Sequence, residues 1–143
     1  MSGMLDPQYR KAYILGGNAV VTLVSKRTGD RFTYRVSQGK PRDGQPGEPP
    51  HFVSVLTGPN NREDYEFLGT IFDESKFVHG KKSNILPKAP SAQAWKWTWE
   101  HLESLHVEVW HEGACSRCGR PLTDPESIQR GLGPVCAERA MGM

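Results

Sequence analysis

The chain has only three cysteines in 143 residues. A small, odd number argues against a disulfide framework and for a reducing compartment. No apolar run approaches the ~20 residues that cross a bilayer, so no membrane partner is expected. Met1 to Arg10 lacks the basic-then-apolar order of a secretion signal, and the expected location is the cytoplasm. Neither charge dominates: 18 Lys/Arg against 16 Asp/Glu leave +2, too little to define a partner. There is no Gly-x-Ser-x-Gly, His-Glu-x-x-His or Walker loop. No small-molecule substrate is indicated.

What is present fits a modest core: 36% hydrophobic and 24% charged residues argue against wholesale disorder. The length fits one domain, or one domain plus a small stapled appendage. Fifteen glycines and 11 prolines favour turns and short strands over long helices. Charge is unevenly spread. Residues 1–50 carry eight Lys/Arg and four Asp/Glu, residues 51–90 five of each, and residues 91–143 five and seven. The front is mildly basic and the back mildly acidic.

Residues 1–12 read as a loose polar lead-in, with strand signals from Tyr13. Residues 19–36 read as a β-hairpin. Ala19 to Val24 is rich in β-branched residues, Arg31 to Val36 alternates, and Gly29 sits in the turn, where a positive φ is needed. Alternation puts Phe32, Tyr34 and Val36 on one face and Arg31, Thr33 and Arg35 on the other. The Pro/Gly-rich stretch 39–50 reads as a mobile surface loop. Phe52–Thr57 and Tyr65–Phe72 form a second hairpin, and Phe77–His79 a short edge segment. A linker at Pro87 to Pro90 leads to a helix capped by Ser91 and running from Ala92 to Leu105. Ala92, Trp95, Trp99 and Leu102 share its packing face, while Trp97 falls about 200° away beside Lys96, Glu100 and Ser104. Val107–Trp110 closes the sheet.

The strongest signal lies in the tail: His111-x3-Cys115-x2-Cys118-x17-Cys136. Two thiols two residues apart can turn onto one ion, and three Cys with one His complete a tetrahedral zinc shell. Gly131-Leu132-Gly133-Pro134-Val135-Cys136 reads as a turn feeding a helix. Cys136 then lies in its first turn, where the dipole favours a thiolate. Thr123–Gly131 spells a very short helix. Leu122, Ile128, Leu132 and Val135 are too little core to fold unaided, so the metal would hold this segment. His111 is the preferred fourth ligand, with His106, Asp124 or water as alternatives. Iron–sulfur clusters usually require four cysteines. Such a shell has no open position for reactive water, so a catalytic metal is disfavoured. His111-Glu112 does not match the nucleobase deaminases, whose His-x-Glu precedes a Pro-Cys-x-x-Cys element.

The expected fold is thus α+β: an antiparallel sheet of two hairpins plus a closing strand, one packing helix, and a C-terminal treble-clef-like zinc knuckle. Residues 13–110 form the sheet with its helix, and residues 111–140 the metal-binding tail packed on it.

The tail pattern Cys-x-x-Cys-Gly-Arg-x-Leu, Pro-x-Ser, Gly-x-Gly-Pro-x-Cys, read at Cys115–Leu122, Pro125–Ser127 and Gly131–Cys136, resembles an uncharacterised small domain of phage and actinobacterial mobile-element proteins. Phe52–Asn60, Asp64-Tyr65 and Leu68-Gly69 resemble the front half of similar phage proteins, extending the likeness over residues ~13–140. It implies a metal site and a phage or mobile-element origin, but no reaction.

Two functions follow. In the first, the protein is a non-catalytic zinc-finger-like factor that binds nucleic acid, DNA or RNA, through its basic N-terminal sheet. Lys26, Arg27, Arg31 and Arg35 would meet phosphates and Trp97 would stack. Tyr34, Trp95 and Trp99 are expected in the core instead. In the second, it binds a host protein and inhibits or redirects it, using Trp97 or the loop at Asn60-Asn61. The plain alternatives are a solvated sheet face for the arginines and a covered surface ring for Trp97.

Overall fold

The computed structural model describes residues 3–39, 49–60, 63–73 and 75–116. Its centre is a seven-stranded antiparallel sheet in the order β1-β7-β2-β3-β4-β5-β6. The strands are β1 (Gly3–Met4), β2 (Asn18–Ser25), β3 (Arg31–Gln38), β4 (His51–Leu56), β5 (Tyr65–Phe72), β6 (Lys76–His79) and β7 (Val107–His111). Strands β2 to β6 form a simple meander. The last strand returns to lie between the first two. Helices α1 (Arg10–Ile14) and α2 (Pro90–Glu100) complete the fold.

Period-two alternation decides which side chains are buried. Ala19, Val21 and Leu23 of β2, Tyr34 and Val36 of β3, Val53 and Val55 of β4, and Val107 and Val109 of β7 all point to one face and are buried. The helices cover that face. Trp95 of α2 sits 5.1 Å from Tyr34 and 6.1 Å from Phe77, ring centre to ring centre. The Tyr34 hydroxyl donates to the Ser91 carbonyl at 2.6 Å, and Trp99 Nε1 donates to the Ser75 carbonyl at 2.9 Å. These bonds fasten the helix to both halves of the sheet. A bulge between Val53 and Ser54 shifts the β4–β5 register and keeps Leu68 buried.

Both expected hairpins, the edge strand and the closing strand are present, and Gly29 takes φ +78° in its turn. Three local expectations are corrected. The N-terminal stretch is not a loose lead-in. Gly3 pairs with His111, Leu5 is fully buried, and Tyr13 lies in α1 rather than starting a strand. Its partner strand lies at the far end of the described chain, so no local pattern announces it. Helix α2 begins at Pro90 with Ala89 as its cap residue and no side-chain cap, so Ser91 is not the cap. Proline at the first position lacks an N–H that would need one. The helix also ends at Glu100 rather than Leu105, with His101 leaving helical geometry. The reading of 39–50 as a mobile loop concerns mainly residues 40–48, which lie outside the described residues.

Arg10 joins the ends of the fold. Its guanidinium donates from Nη1 to the Leu102 and Ser104 carbonyls at 3.1 and 2.8 Å, and from Nη2 to the Val107 carbonyl at 3.0 Å. Burial holds its pKa below the usual arginine value, and the Asp6 carboxylate acts in the opposite sense. A buried cation gripping three carbonyls is strongly position-dependent, because each bond to a charged group contributes about 1.5–3 kcal/mol. Arg10→Ala is therefore expected to destabilise the protein by about 3 kcal/mol or more in urea denaturation, with Arg10→Lys intermediate. An unchanged midpoint for Arg10→Ala would refute this role.

Candidate functional site

The residues singled out by the sequence fall in three places. The first is the end of β7. His111 points to the buried face, and its ring lies 5.6 Å from that of Tyr13 at a 41° tilt. The chain then turns at Gly113, at φ +94°, and brings Cys115 and Ser116 back into the protein, both buried. Gly16 makes room for this return. A Cβ there would collide with Ser116 Oγ and Cβ and press on the Ser116 backbone, so a larger residue would push the two segments apart. Burial pushes the Tyr13 phenol well above its ordinary pKa, and the nearby Glu112 and Cys115 act in the same direction. His111 and Cys115 thus share one neighbour and one buried corner, two of the four donors expected for a metal.

His106, an alternative fourth ligand, sits at the opposite end of β7. It precedes Val107, whereas His111 closes the strand, and its carbonyl receives the Lys26 N–H at 3.0 Å. The topology therefore favours His111. The Gly113 N–H donates to His111 Nδ1 at 2.9 Å. In the neutral ring this places the proton on Nε2. A metal bond at Nε2 would require that proton to move to Nδ1, and a bond at Nδ1 would displace the Gly113 contact. Either way, a metal on His111 would be coupled to the turn. Cys118, Cys136 and Asp124 lie outside the described residues, as do the short helix at 123–131 and the turn at 131–136. Among the described residues no cluster of three or more His, Cys, Asp and Glu is assembled.

The second place is a groove of about 860 Å³ between the β2–β3 turn and α2. Lys26, Arg27 and Trp97 all line it, with His106 beside them and Leu23 and Phe32 among its apolar lining. The turn is braced on both sides. Ser25 exchanges backbone bonds with Gly29 and Asp30 at 2.8 and 3.0 Å, the Thr28 hydroxyl donates to the Asp30 carboxylate at 3.0 Å, and Lys26 is tied to His106. Trp97 is 41% exposed, as its helical phase predicts. Its indole stacks on His101 at 4.4 Å and 16°. The His101 ring is anchored in turn, its Nδ1 lying 2.7 Å from the Trp97 carbonyl.

The third place is the opposite face of the sheet. Arg31 and Arg35 project there, as alternation requires, and neither lines the groove. The Arg35 guanidinium lies over the Tyr65 ring at 4.3 Å, a cation–π contact. The five expected contact residues therefore divide between two surfaces: Lys26, Arg27 and Trp97 in one groove, Arg31 and Arg35 behind it. Sequence reasoning offered His106 only as an alternative metal ligand, not as a groove residue, and gave His101 no role. Each lies in or just after a helix-terminal turn, where no periodic pattern assigns a direction.

Residues 109–140 match DUF6011, a family of unknown function. The matched segment begins on β7 and takes in His111 and all three cysteines. The resemblance to an uncharacterised family thus holds over the tail. No curated protein and no solved structure matches the chain. Among the described residues no helix is long and apolar enough to cross a membrane.

The paired burial of His111 and Cys115 leads to a measurable expectation. Purified protein should contain about one zinc per chain, and a strong chelator should speed hydrogen exchange at the Gly113 and Ser116 amides before the β2–β3 amides change. Metal-free protein with both amides still protected would exclude a metal at this corner.

Proposed function

We propose that the protein is a non-catalytic binding factor that holds nucleic acid in the groove between the β2–β3 turn and α2. Its C-terminal segment is stapled by a zinc ion on His111, Cys115, Cys118 and Cys136. The observation that carries the nucleic-acid reading is the convergence of Lys26, Arg27 and Trp97 on one groove. Two cations supply phosphate contacts and the indole supplies a stacking surface, the two elements of sequence-tolerant binding. The groove's one carboxylate among the turn residues, Asp30, already accepts the Thr28 hydroxyl. Arg31 and Arg35 lie on the far face, do not line the groove, and are given no part in this contact. The metal reading rests on the donor spacing and on the buried His111–Cys115 corner. Zinc there is structural and supplies folding energy rather than a reactive water. The phage or mobile-element origin rests on the tail pattern and would place the protein in the host cytoplasm.

Fluorescence anisotropy with labelled oligonucleotides across a salt series tests the site. Binding should weaken steeply with salt. Lys26→Ala and Arg27→Ala should each lower the logarithmic salt slope by about 0.7–0.9, while Arg31→Ala should leave it unchanged. Loss of slope in Arg31→Ala but not in the groove variants would move the site to the sheet face. No binding of DNA or RNA at low salt, with a host protein captured despite nuclease treatment, would replace this reading with the protein-binding one.

A further inference from the structure

Resting on the nucleic-acid reading, we infer that the groove takes an unpaired base and so selects single-stranded nucleic acid over duplex. Three features of the site carry this. Its volume, about 860 Å³, lies in the range of small-molecule pockets rather than of a flat phosphate-tracking surface. Its lining is apolar at Leu23, Phe32 and Val107, with the cations contributed by the turn at one side. A phosphate backbone alone has no use for such a floor, whereas a base face does. A base inside a duplex is stacked and paired and would have to be extruded before it could enter.

The second feature is preorganisation. His101 does not line the groove, and it stacks on the indole of Trp97, which does. One face of the indole is therefore occupied by the imidazole, and the ring is held in place before any ligand arrives. A fixed aromatic ring loses less conformational entropy on binding than a freely rotating one. The third feature is charge placement. Lys26 and Arg27 are exposed on the turn, whose backbone is tied to Gly29, Asp30 and His106. The cations thus have a rigid base beside the apolar floor, the arrangement needed for a base in the groove and its phosphate at the rim. A strand is favoured over a free nucleotide because the groove is open, so neighbouring nucleotides can enter and leave along it while two cations meet successive phosphates.

The test uses the full-length protein and three probes: a fluorescein-labelled single-stranded 12-mer of deoxythymidine, a blunt hairpin duplex of equal phosphate number, and thymidine monophosphate as competitor. Single strand is expected to bind at least tenfold more tightly than duplex and to quench tryptophan emission. Trp97→Ala should remove that preference while keeping residual salt-dependent binding. His101→Ala should weaken single-strand binding severalfold without altering the salt slope. Equal affinity for both probes, or a preference that survives Trp97→Ala, overturns the inference but leaves the groove as a phosphate site. Competition by the monophosphate at the oligonucleotide's own affinity also overturns it, in favour of a nucleotide pocket. Absence of binding by either nucleic acid at low salt removes the underlying reading instead. Far-ultraviolet circular dichroism of each variant confirms folding, and Trp97→Phe, which keeps an aromatic face, should retain most of the preference.

Discussion

The grip of Arg10 on the carbonyls of Leu102, Ser104 and Val107 is the contact that sets the position of β7, and both proposed sites depend on that strand. It joins the first helix to the segment that delivers β7, and β7 is the strand placed between β1 and β2. Two consequences follow at opposite ends of one five-residue strand. At its start, the approach segment carries His106 and receives the Lys26 N–H, forming one wall of the groove. At its end, His111 is set against Tyr13 and the chain turns back to bury Cys115. The proposed binding groove and the proposed metal corner are thus mechanically related through β7, although they share no side chain.

This arrangement makes physical sense for a small sheet. Strands β2 to β6 pair with sequence neighbours and need little loop closure. β1 and β7 do not: β7 lies along β2 over its five residues, but both strands pair with partners remote in the chain and β1 is only two residues long. A buried cation bonded to three carbonyls compensates, and a metal beyond His111 would add a second anchor. Three peptide carbonyls accept from Arg10, and the Asp6 carboxylate adds a favourable charge interaction, so peptide dipoles and one nearby carboxylate together offset the cost of burying the cation. Replacing it with a shorter or neutral side chain leaves those carbonyls without donors.

The two faces of the sheet divide the labour. The inner face packs α1 and α2 with an aromatic group of Tyr34, Trp95, Trp99 and Phe77. The outer face carries Arg31, and Arg35 over Tyr65. The groove lies on the helix-covered side, where the β2–β3 turn and the inner-face residues Leu23 and Val107 meet α2. That position explains why a basic sheet, expected as a single binding surface, resolves into two. Residues 26 and 27 belong to the turn and follow its direction, whereas residues 31 and 35 belong to a strand and follow its alternation.

The amino-acid sequence alone determined the two faces of β3, the outward phase of Trp97, the hairpin turn at Gly29 and the donor spacing from His111 onward. All of these are local: a period of two or 3.6 residues, a backbone angle, or a count between ligands. Only the tertiary structure decided that residues 3–14 are strand and helix, that Arg10 is a buried clasp, that Ser91 is not the helix cap, and that Lys26 and Arg27 meet Trp97 while Arg31 and Arg35 do not. Each of these depends on a partner remote in the chain. Burial can assign a polar residue to the interior only when that distant partner satisfies its charge or hydrogen bonds, and nothing in the neighbouring residues encodes it.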